Sequence, residues 1–137
     1  MRKTRTITCI NCGNEHTVES KSRPALYCSF TCQHEFKRKA KIVLWLEREI
    51  YPGKKAVRWF LTKDRGEKCA CCNNDTWLDK PITLEIEHKD GNSDNNHPDN
   101  LELLCPNCHS YTPTYKAKNK GNGRHARRLR YKEGKSY

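Results

Sequence analysis

Glu87, His88, Asn100 and His109 are residue types that can handle a cation and a water molecule, and they share one short frame of cysteines. Cys69-x-x-Cys72 opens that frame, Cys105-x-x-Cys108 closes it, and His109 follows directly. Four thiolates already complete a tetrahedral structural zinc site, so none of the other four residues is needed for it. A carboxylate and imidazoles drawn to one point can instead hold a second, hard cation and activate water. Taken singly each has an ordinary role: His88 ends a strand, Asn100 shapes a turn, Glu87 is solvated, His109 supports the zinc. Their order inside the cysteine frame is what points to chemistry.

The elements that must position them can be read locally. Ile82, Leu84 and Ile86 alternate with Thr83, Glu85 and Glu87, which predicts a strand. A loop rich in Asp, Asn, Gly and Ser follows from Asp90 to Asn100, and Leu101–Leu104 can pair back as a second strand. Pro106 suits the first position of a helix carrying Cys108 and His109, and Pro113 should end it. Consecutive helical residues differ by about 100°, so His109 points away from the zinc that Cys108 faces. In an unbroken strand Glu87 and His88 face opposite sides; both reach one site only where the strand ends or twists. Cys71 is left as a non-ligand.

A second cysteine set precedes this one. Cys9-x-x-Cys12 and Cys28-x-x-x-Cys32 are 15 residues apart, room for a short hairpin, and predict another four-thiolate zinc. Gly13 suits the tight turn of the knuckle. Ser29 can cap a helix running to Ile50, with Phe36, Ala40, Val43, Leu44 and Ile50 as its apolar face. Lys37, Arg38, Lys39 and Lys41 lie mostly off that face and serve either phosphate or solvation. Ala56, Val57, Phe60 and Leu61 predict a shorter helix ending near Gly66. Trp45 and Trp59 read as packing residues.

Composition bounds the rest. The chain has 137 residues, only 34% of them hydrophobic, with nine cysteines and a formal net charge of +11. So thin a core calls for metal staples. The longest apolar run, Ile42–Leu46, cannot span a membrane, and no secretion signal is readable, so an intracellular, cytoplasmic setting with reduced thiols is expected. Charge is uneven: residues 1–60 carry 13 basic and 5 acidic side chains, residues 61–110 carry 5 and 10, and residues 111–137 carry 9 and 1. An acidic island between basic flanks suggests a cation site between phosphate-binding arms. Lys116, Lys118, Lys120, Arg124, Arg127, Arg128 and Arg130 would grip DNA backbone phosphates. The tail lacks apolar residues for a core, so it is expected to be flexible alone and could order on DNA.

The stretch "IEHKDGNSDNNHPDNLELLCPNCH", with the preceding CxxC, resembles the HNH endonuclease family in its four-cysteine, phage-type zinc form. The resemblance covers roughly Cys69 to Lys118. His88, Asn100 and His109 stand at its three signature positions, and Glu87 stands where that family more often has Asp. The resemblance implies an α+β, zinc-stabilised chain with a ββα-metal, treble-clef-like core. Residues 1–35 would be a four-cysteine zinc finger, 36–66 a helical linker, 67–118 the nuclease domain and 119–137 a basic tail. It further implies that His88 is the general base, that Glu87 and His109 hold one divalent ion, Mg2+ first and Mn2+ next, and that Asn100 braces the loop. The two zinc ions would be structural. The products would be 5′-phosphate and 3′-hydroxyl ends. DNA is the expected partner, no membrane is, and either a monomer or a homodimer suits the chain; as a phage product it would act in the host cell.

The competing reading is a non-catalytic zinc-finger DNA- or RNA-binding protein. It accounts for charge and cysteines equally well and leaves Glu87, His88, Asn100 and His109 without a purpose.

Overall fold

The computed structural model describes residues 4–19, 26–119 and 125–134. Backbone contacts divide the chain into two compact units, Met1–Pro52 and Gly53–Tyr137. The helices expected as one linker fall on both sides of that division.

In the first unit, β1 (Thr4–Thr8) pairs antiparallel with β2 (Glu15–Glu19), Thr8 opposite Glu15. The turn between them holds Cys9 and Cys12. Cys9 N donates to Asn14 O at 2.9 Å and Gly13 N to Cys9 O at 2.8 Å, with Gly13 at φ 76°. The expected hairpin therefore encloses the first cysteine pair rather than filling the interval between the two pairs. The knuckle is itself the tight turn that closes two strands. Ile10 N donates to Leu26 O at 3.0 Å, which draws the chain leading to Cys28 alongside.

Helix α1 spans Phe30–Arg48, and Ser29 caps it by accepting from Cys32 N at 3.1 Å. The helix stops at Glu49, in the left-handed conformation, before Pro52 is reached. Its buried residues are Ile42 and Trp45; Phe36, Val43, Leu44 and Ile50 are exposed. The expected apolar face is thus not the buried one. Both faces carry apolar residues, and turning Trp45 inward removes the largest side chain from water.

The second unit begins with α2 (Lys54–Arg65), which buries Ala56, Val57 and Leu61 and ends at Gly66, as its spacing predicts. A knuckle follows that repeats the geometry of the first. Cys69 N donates to Asn74 O at 2.9 Å, and Asn73 N donates to Cys69 O at 2.9 Å. Asn73 takes the place of Gly13 at φ 61°, a conformation that Asn tolerates better than most residues. A two-residue ribbon, β3 (Thr76–Trp77) against β4 (Lys80–Pro81), leads on.

The core hairpin is β5 (Glu85–His88) against β6 (Leu101–Leu104), in the register Glu85–Leu104, Ile86–Leu103, Glu87–Glu102 and His88–Leu101. β5 starts three residues later than expected, because the Ile82 amide is bonded back to Asp75 O at 2.8 Å. Leu84, Leu101, Leu103 and Leu104 are buried, each contributing about 1.5–3 kcal/mol by leaving water. Helix α2 is fastened to this hairpin by arginines. Arg58 donates to Leu84 O, and Arg65 donates to Leu101 O and to Pro98 O. Helix α3 (Pro106–Tyr111) begins at its proline, and Thr112 is extended, as a residue before proline should be.

The tail departs from expectation. A 3-10 turn covers Lys116–Asn119, and a helix, α4, covers His125–Lys132. Arg128 of α4 is held by Asp94 and Asn92 of the loop between β5 and β6. Among the described residues no helix is long and apolar enough to cross a membrane.

Candidate metal and catalytic site

Two groups of four cysteines converge: Cys9, Cys12, Cys28 and Cys32 in the first unit, and Cys69, Cys72, Cys105 and Cys108 in the second. In each group the ligand atoms lie within 4.8 Å of one another. Four soft donors so placed fit a tetrahedral zinc ion. Burial works against ionising Cys9 and Cys69, but backbone donors at Cys12, Cys28 and Asn11, and at Cys72, Cys105 and Cys71, outweigh it and lower each to about 6. Neighbouring Cys32 and Cys12 push Cys28 up to about 12, and Cys105 pushes Cys108 up as well. Such mutual repulsion is what a bound cation relieves. Ala70 N donates to Leu103 O at 2.8 Å, tying the second knuckle to β6, and the Cys105 sulfur accepts from Cys108 N at the start of α3. The cysteine set thereby fixes α3 against the hairpin.

That placement brings His109 over one face of β5. His109 Nε2 is 2.8 Å from Glu87 Oε2, and its Nδ1 is paired with Glu85 Oε2. Glu85 and Glu87 are two residues apart on a strand and so share a face. Glu87 is 6% exposed, a carboxylate kept from water by its partners. Thr114 donates its hydroxyl to the other Glu87 oxygen, and Tyr115 packs edge-on to the His109 ring at 5.0 Å. A buried carboxylate oxygen beside an imidazole nitrogen is a donor pair that fits a small divalent cation. Glu85 and Thr114 were not singled out in the sequence. Strand alternation could have found Glu85, which shares the parity of Glu87; nothing local marks Thr114.

His88 ends β5 opposite Leu101, and its Nε2 meets Asn96 Oδ1 at 3.1 Å. Alternation sends it to the other side of the strand from Glu87, and β5 does end there. Asn100 sits at the far end of the loop. Its Oδ1 accepts from Asp90 N at 3.1 Å, and its Nδ2 donates to Asp90 Oδ1 at 2.8 Å and to Asn95 O at 2.8 Å. Lys89 N donates to Asn100 O at 2.9 Å. Partial burial opposes the Asp90 charge, but the amides of Asn95 and Asn100, the Asn92 N–H and nearby His88 hold its carboxyl below the usual range. The sequence thus brings Glu87 to His109, and Asn100 to the loop that starts at His88.

The basic residues are engaged unevenly. Lys116 Nζ lies 4.8 Å over the Tyr115 ring, Lys118 Nζ donates to Ser110 O at 3.0 Å, and Arg128 faces Asp94. Arg130 is exposed. Lys120, Arg124 and the Arg127 side chain lie outside the described residues. In the first unit Lys39 bonds Glu35 and Asn11.

Over 54 residues the chain is 65% identical to the H-N-H endonuclease F-TflIV of Escherichia phage T5, a match covering 39% of this chain. The chain spans about a quarter of the length of that relative, 24% of it. No family profile matches the chain, and no solved structure does. The chain is thus similar, over part of its length, to a phage H-N-H endonuclease.

Proposed function

We propose that this chain is an HNH-type, divalent-metal-dependent DNA endonuclease, with two structural zinc ions and one separate catalytic cation. The contact between Glu87 and His109, 2.8 Å apart on a zinc-braced strand and helix, carries the reading. Glu87 and His109 are the residues that would hold the cation, Mg2+ first, which when bound supplies charge neutralisation at the scissile phosphate and the leaving oxygen.

His88 acts as general base. Donation of its Nε2–H to Asn96 leaves Nδ1 with the lone pair that takes a proton from water. Asn100 holds the loop that follows His88 closed through Asp90, so that the imidazole meets water at one orientation. Hydrolysis leaves 5′-phosphate and 3′-hydroxyl ends. Lys116, Lys118, Arg130 and the remaining tail cations, Lys120, Arg124, Arg127 and Arg128, contact backbone phosphate, which positions DNA without reading sequence. An intracellular setting, where thiols stay reduced, suits the eight zinc-binding cysteines.

Supercoiled plasmid incubated with a divalent-ion series, followed by end mapping, tests the assignment. Nicked or linear DNA should appear with Mg2+ or Mn2+. His88→Ala should slow cleavage at least about 10²–10⁴-fold, with DNA binding and zinc content retained. Plasmid left intact by the wild type at low salt with either ion would leave only a zinc-finger binding protein.

A further inference from the structure

We propose that Glu85 is a positioning residue for the cation site: it accepts the His109 Nδ1 proton and so holds the ring with its Nε2 lone pair toward Glu87. The proposal rests on the reading of Glu87 and His109 as cation ligands. The geometry behind it is independent of that reading.

Both nitrogens of His109 face carboxylate oxygens, Nδ1 toward Glu85 and Nε2 toward Glu87. Carboxylates only accept, so a neutral imidazole can satisfy one of them by donation and must present its lone pair to the other. The surroundings decide which. The Glu87 carboxylate is buried and already receives the Thr114 hydroxyl, whereas Glu85 is about half exposed, with room to turn its oxygen to the ring. A small cation fits between a lone pair and a buried carboxylate, not between an N–H and a carboxylate. Glu85 is thus the proton acceptor and Nε2 the ligand atom.

The backbone cannot make this choice alone. Cys108, one residue earlier, fixes the start of α3, and Thr112 is bonded to His109 O. The Cys108 and Thr112 hydrogen bonds are both made at the main chain. Tyr115 packs against the ring edge and limits its tilt, but an apolar edge does not distinguish the two nitrogens. A ring turned over would put Cδ2 toward Glu85 and Cε1 toward Glu87, losing both contacts, so the choice left open is which nitrogen carries the proton. Glu85 is the acceptor at Nδ1 and so the side chain that tells the two tautomers apart. Carboxylate partners of this kind typically govern metal affinity by about 10–100-fold.

The zinc-replete chain and its Glu85→Ala and Glu85→Gln variants test this. Ring nitrogen NMR with Mg2+ present should show the wild-type His109 protonated at Nδ1 and unprotonated at Nε2. Manganese titration followed by EPR should show Glu85→Ala weakened about 10–100-fold. Glu85→Gln keeps an acceptor oxygen and should recover most of that loss. Zinc content and far-UV circular dichroism should match wild type in both. A wild-type ring protonated at Nε2, or Glu85→Ala with unchanged tautomer and manganese affinity, overturns the proposal. His109→Ala separates the two ideas: if it binds manganese as well as wild type does, the ligand assignment fails, while the tautomer measurement still decides the role of Glu85.

Discussion

Asn100 and Asp90 hold each other by two opposed hydrogen bonds, the Asn100 oxygen to the Asp90 amide and the Asn100 amide to the Asp90 carboxylate. They stand at the two ends of the loop that follows His88, so this pair closes it. Removing the Asn100 side chain leaves the Asp90 amide and carboxylate short of partners. Asn100→Ala should lower stability by about 1–3 kcal/mol, read by denaturant titration, and slow plasmid cleavage with zinc content unchanged.

The same pair should show in acid. The folded Asp90 carboxyl lies below its ordinary value of 3.8. A depressed carboxyl contributes stability that is complete above the unfolded pKa and is lost as pH falls through the folded one. Asp90→Asn should therefore flatten the dependence of Tm on pH below about 4. Thermal melts from pH 7 down to about pH 2.5 measure it; an unchanged slope would remove Asp90 from the account.

Gly91 sits at φ +70°, and a Cβ there would come within 2.6 Å of Asn119 Oδ1 and Thr114 Cγ2. Asn119 also donates to Gly91 O at 2.6 Å, so the crowding falls on a bonded partner. Gly91→Ala should destabilise the fold by about 1–3 kcal/mol. Displacing Thr114 should also loosen Glu87, so manganese affinity should fall along with Tm. Loss of stability with full affinity would show that Thr114 does not steady the carboxylate.

Zinc should load at two ions per chain, and substituting one ligand should remove one ion. Cys69→Ser should abolish cleavage, because that set anchors α3 and His109. Cys9→Ser should release one zinc and leave the second unit able to cut, with weaker DNA binding. Atomic absorption and plasmid assays distinguish the two. Acidification should release both ions, since protons compete for thiolates.

Arg128 and Asp94 tie α4 to the loop between β5 and β6. Both side chains are partly exposed, so a double-mutant cycle with Ala at each should give a coupling of only about 0.2–1 kcal/mol, shrinking with added salt. Zero coupling at low salt would mean the contact does not hold the helix.

Much of the second unit was legible without coordinates. Cysteine spacing, the strand Leu101–Leu104, the proline at the start of α3 and the glycine closing α2 are local signals, and each is where it was expected. The first knuckle was legible as a zinc set but not as the turn of a hairpin, because that depends on strand residues before Cys9. The buried face of α1 is not legible locally, because apolar residues lie on both sides of the helix and only packing chooses between them.

The sequence by itself shows two four-cysteine sets at metal-ligand spacing, and the order Glu-His, Asn, His set within and just after the second. Tertiary structure decided the orientation. Glu85 and His109 are 24 residues apart, and no periodic pattern links them. They meet because the second cysteine set brings α3 onto the face of β5 that both glutamates share. Which nitrogen of His109 faces which carboxylate is a property of that meeting, not of any segment of the chain.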